Sequence, residues 1–129
     1  MRIEGEYITV SSNVNNALLL KQAHLTPMTP DEAALLLINM MKFHNFYLKK
    51  LRFAERCNGV YFYKEKYMRL PRIPLPPGEN RPYYYLTLGC VLHEFAHALA
   101  NESGAKGHDW SYIRVIEKLV TRYYNGDYK

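Results

Sequence analysis

Apolar positions along this chain change their spacing several times, and each change marks an expected element. Ile3, Tyr7, Ile8 and Val10 alternate loosely, which suits a short strand. A polar run from Ser11 to Asn16 interrupts it, and residues 11–29 read as a connector in which Ala17 to Leu20 suits a helical turn. Thr29-Pro30-Asp31-Glu32 then combines three start signals: a Thr N-cap, Pro at the first helical position and Glu at the capping-box position. From there Leu36, Met40, Phe43, Tyr47, Leu51 and Ala54 recur every three or four residues until Asn58-Gly59. That spacing predicts one long helix of about 27 residues with a single apolar face.

Val60 to Tyr63 and Tyr67 to Leu75 are rich in β-branched or aromatic residues, with Glu65-Lys66 marking a turn between them. An antiparallel hairpin is expected. Pro71, Pro74, Pro76 and Pro77 confine its second strand to an edge or an early end, because proline cannot donate to a ladder. An edge strand in that position could pair with an extended peptide. The apolar run from Tyr83 to Leu99 is too long for a strand and holds its pattern as a helix ending near Gly104. A last helix follows Gly107, capped by Asp109, with Tyr112, Ile113, Ile116, Val120 and Tyr123 inward and Gly126 past its end. The sum is a single α+β domain over residues 1–129.

The third helical run contains His93-Glu94-Phe95-Ala96-His97. Residues four apart stack on one helical face, so His93 and His97 can aim two imidazole nitrogens at one cation. Glu94 projects about 100° round the helix, set back from that point, where a carboxylate can take a proton from water. It is the candidate general base. Two histidines and a glutamate inside LTLGCVLHEFAHALA are costly to bury unless something satisfies them, and Zn2+ does so; imidazole ligands favour it over manganese or cobalt. A third ligand is needed. Ser103 stands where a metzincin would carry its third histidine, which excludes that subclass. His108 follows His97 across a turn containing Gly104 and Gly107, and it ranks first. Glu117 is the alternative third ligand, while Asp109 and Glu102 rank lower. His108 and Glu117 fall on opposite faces of the last helix, so one ion cannot take both. Tyr112 is a weak candidate for steadying an oxyanion and fits a core position better. His24 and His44 read as packed or surface histidines.

Charge adds a second theme. Residues 42–81 carry ten basic residues against Glu55, Glu65 and Glu79, while the rest of the chain is slightly acidic, within a net charge of +5. Interleaved with Tyr61, Phe62, Tyr63 and Tyr67, this segment could attract DNA or another polyanion and stack on its bases. A rival reading follows: a nucleic-acid-binding or interaction protein in which zinc is structural and nothing is cleaved. Cys57 and Cys90 form no CxxC pair and read as apolar filler in a reducing, cytoplasmic compartment. Neither a signal peptide nor a membrane span is expected. A hydrolase of another amide bond, such as cell-wall peptide, would need export.

Three segments, RIPLP, LTLGCVLHEFAHAL and GHDWSY, resemble the SprT-like zinc metallopeptidases, the group that includes the Spartan proteases acting on DNA–protein crosslinks. The likeness in motifs runs from Arg72 to Leu119, and in layout from about Thr29 onward. It implies a zincin-like fold, His93, His97 and His108 as zinc ligands, Glu94 as the catalytic acid–base, and a protein or peptide substrate. Asp109 and Trp110 stand where the family usually has glycine and proline, and no cysteine-rich ribbon follows the core.

Overall fold

The computed structural model describes residues 14–55, 57–104 and 107–129; the strand expected at residues 3–10 lies outside them. Within these limits the chain is α+β, with four α-helices and a three-stranded sheet.

The first helix, α1 (Val14–His24), replaces the expected connector. Ala17, Leu20, Ala23 and His24 form its buried stripe, a face too narrow and too alanine-rich to stand out as a long apolar pattern. Next, α2 (Pro30–His44) starts as the sequence requires, with both halves of the Thr29–Glu32 capping box formed.

It stops well short of the expected length. Asn45 takes a left-handed conformation, φ 51° and ψ 46°, and the Phe46 N–H reaches back to the Met41 carbonyl while the Asn45 N–H reaches Lys42. Those two bonds make a Schellman close, which asparagine tolerates better than most residues. Phe46 then turns into the core. The apolar spacing that seemed to carry the helix on to Ala54 belongs instead to a strand, β1 (Lys50–Ala54), whose side chains alternate.

The expected hairpin is present: β2 (Val60–Phe62) and β3 (Tyr67–Pro71) run antiparallel, joined by four residues that end in Lys66 at φ 50°. However, β3 is the middle strand, not an edge. The order is β1-β3-β2, and β1 joins β3 in parallel, Lys50 opposite Tyr67 through Ala54 opposite Pro71. Proline is tolerated there because Pro71 ends the strand. Met68 and Leu70 face the core and are fully buried.

Residues 72–75 do not extend the sheet; a bridge links Pro74 to Leu86, and Pro27 pairs with Thr87 on the other side. Between these two clamps the chain makes one 3-10 turn, Pro82–Tyr84, before α3 (Leu88–Glu102) begins. The helix thus starts later than Tyr83. Thr87 is its N-cap, accepting from the Cys90 N–H at 3.0 Å, and Pro82 sets the preceding turn. Helix α3 is the axis of the fold: α1, α2, α4 (Trp110–Tyr124), β2 and β3 all pack on it. Nine consecutive residues, Leu88 to Ala96, and Ala98 beyond give up nearly all their exposure. Burying Phe95 or Leu92 there stabilises by about 1.5–3 kcal/mol each. Among the described residues, no helix is long and apolar enough to cross a membrane.

Candidate metal centre

Because α3 is enclosed on nearly every side, its polar residues are held by packing. His93 and Glu94 are about 5% and 4% exposed, while His97, one turn on, opens toward the surface. Gly104 and Gly107, with φ of 89° and 67°, take left-handed conformations and turn the chain back after α3. Asp109 then caps α4, its side chain accepting from the Tyr112 N–H at 3.0 Å. This cap fixes the start of α4, and with it the position of His108 just before.

The three imidazoles converge. Nε2 of His108 lies 3.3 Å from Nε2 of His93 and 3.2 Å from Nε2 of His97, and one nitrogen from each ring falls within 4.8 Å of the others. A tetrahedral zinc with Zn–N bonds of 2.0–2.1 Å needs its ligand nitrogens about 3.3 Å apart. The two measured separations match those edges. Burial and the neighbouring His108 push the His97 imidazole down to about 4, so it is neutral near pH 7, the form that offers a lone pair to a metal. Among the described residues these three histidines are the group able to hold a metal ion.

The other candidates lie elsewhere. Glu117 lines an open polar groove on α4 with Arg114, Lys118 and Thr121. Glu102 pairs with Lys66 at 3.7 Å, and Asp109 is occupied as a cap. Tyr112 is fully buried behind the cluster, its ring centroid 4.4 Å from that of His97 and 4.8 Å from that of His108. Its hydroxyl donates to the His93 carbonyl at 3.3 Å, so it braces the ligands from the core side.

Glu94 lies beside the cluster, its Oε2 3.9 Å from Nε2 of His93. Burial alone pushes its carboxyl up to about 8. At pH 7 the metal-free carboxyl therefore holds its proton, and a cation bound beside it would favour the ionised form.

Two residues next to the cluster carried no expected role. His24, set aside as an ordinary packed histidine, is buried under α3 with its ring edge-on to His93 at 6.2 Å between centroids. It fits because residue 89 is glycine: a Cβ there would come within 2.5 Å of the His24 ring. Gly59, expected to end a helix, instead lies against Cys90 and Glu94. Cys90 is buried as expected, its thiol pushed up by burial while accepting from the Gly59 N–H; Cys57 is half-buried and donates to the Ala54 carbonyl. His44, away from the cluster, bonds the Tyr128 hydroxyl at 2.6 Å.

A scan against protein-family models gave no match, and searches of curated proteins and of solved structures gave none either.

Proposed function

We propose that this chain is a zinc-dependent peptidase of zincin-like design, with His93, His97 and His108 as ligands and Glu94 as the proton carrier. The convergence of three imidazole nitrogens, with both separations from His108 at tetrahedral spacing, next to a buried carboxyl, is the observation that carries this reading. Zinc bound there would supply Lewis acidity and make water a competent nucleophile near pH 7. Glu94 would take the proton from the attacking water and return it to the leaving amine. His93, buried and braced by Tyr112, holds one fixed direction; His97 and His108 stand at the open side, where substrate would arrive. Strand β2 is an outer strand packed beside α3, so an extended polypeptide could align on it by backbone pairing. The likeness of three segments to the SprT-like peptidases supports a protein substrate.

Denatured, dye-labelled casein with zinc-loaded protein provides the test. Wild type should cleave it, and Glu94→Gln should keep one zinc per chain while losing about a thousandfold in rate. A Glu94→Gln protein as active as the parent would sink the reading.

One observation supports nucleic-acid binding by the same chain. Register places Lys50, Arg52, Tyr67, Arg69, Val60 and Phe62 on the face of the sheet opposite the core, and the three strands contain no acidic residue. Phe62 and Tyr67 stack there at 5.2 Å, whereas Tyr61 turns inward onto the core. Cations around stacked aromatics suit single-stranded DNA on a sheet face. Labelled oligothymidine should bind with salt-dependent affinity and lose most of it in Lys50→Glu/Arg52→Glu; equal binding by that variant would refute this face. DNA binding by a zinc-loaded protein that cleaves nothing would favour the non-catalytic alternative.

A further inference from the structure

The segment entering β2 comes against α3 at Gly59, beside Glu94. Gly59 does not take the positive φ that reserves a position for glycine. Space is what the position demands. A Cβ built there would lie 2.7 Å from Sγ of Cys90, 3.1 Å from Cγ of Glu94 and 3.3 Å from Oε2 of Glu94. Cys90 precedes Glu94 by one helical turn, so both present the same face of α3 to this segment. The carboxyl therefore has Gly59 against it and Nε2 of His93 3.9 Å from its Oε2.

The geometry points to Gly59 as a positioning residue for Glu94: the missing side chain lets the segment ahead of β2 close on the carboxyl and fix where its oxygens lie. This role rests on the peptidase reading for its catalytic meaning, though not for its geometry. A methyl at residue 59 cannot be accommodated in place. Either the segment retreats from α3 or the Cys90 and Glu94 side chains shift, and both free the carboxyl from its confinement. Misplacing a proton carrier by a fraction of an ångström to an ångström costs about tenfold to a hundredfold in rate while leaving substrate affinity nearly intact.

Gly59→Ala alone combines two effects, since its closest contact is with the cysteine. The decisive comparison is Gly59→Ala/Cys90→Ala against Cys90→Ala, because loss of Sγ clears that contact and leaves the methyl against Glu94. Both proteins should fold with similar melting temperatures and hold one zinc per chain. On labelled casein the double variant should show kcat about tenfold lower or more, with KM within twofold. Crystal structures of the two zinc-loaded proteins should differ in the Glu94 carboxyl position. Equal kcat, or superposable carboxyls, would overturn the role of Gly59 and reduce it to packing against Cys90. If wild type cleaves nothing, the peptidase reading fails, and the carboxyl positions still decide the role of Gly59.

Discussion

Replacing Glu94 by Gln in metal-free protein should stabilise it, and by an amount that depends on pH. Burial raises the carboxyl from 4.5 to about 8, with no charge partner contributing to the shift. Below pH 4.5 the folded and unfolded chains both hold the proton, so the group costs nothing. Above it the unfolded chain releases its proton while the folded chain keeps it, which favours unfolding by about 1.4 kcal/mol per pH unit up to about pH 8. At pH 7 the accumulated cost is about 3 kcal/mol, a large share of a small domain's stability. Glutamine copies the shape of the protonated carboxyl and never ionises, so it escapes this cost. Urea unfolding in the presence of a chelator, at pH 4.5 and pH 7, measures it directly. The gain from Glu94→Gln should be about 3 kcal/mol larger at pH 7; an equal gain at the two pH values would refute the idea that Glu94 stays protonated when metal-free.

Two further substitutions test the cluster. His108→Ala should lose bound zinc on dialysis while Glu117→Ala keeps one per chain by elemental analysis; the reverse result would move the third ligand to Glu117. Tyr112→Phe removes one buried hydroxyl bond and should cost about 1 kcal/mol in urea unfolding with turnover largely kept. A stable Tyr112→Phe protein with turnover down a thousandfold would give that hydroxyl a direct part in the chemistry.

What the sequence disclosed was local. The capping box at Thr29, the Asp109 cap and the hairpin are each decided within a few residues, and the structure forms all three. His93, His97 and His108 were also legible, since two share a helical turn and left-handed glycines return the third. The end of α2 was not. Leu51 and Ala54 happened to continue a helical spacing, and only tertiary packing of Phe46 and pairing with β3 reassign them to a strand. Gly59 was hidden for a different reason: its neighbours, Cys90 and Glu94, are distant in sequence, so nothing local distinguishes a glycine needed for space from one needed for a turn.

The three imidazoles are anchored unequally. Two project from a helix enclosed by the whole domain, and the third hangs from an exposed arm between Gly107 and the Asp109 cap. An ion held there would therefore be gripped by two ligands from one helix and by a third from the segment that opens the next. Such an ion would also tie the end of one helix to the beginning of the next, a rivet across the joint it would occupy.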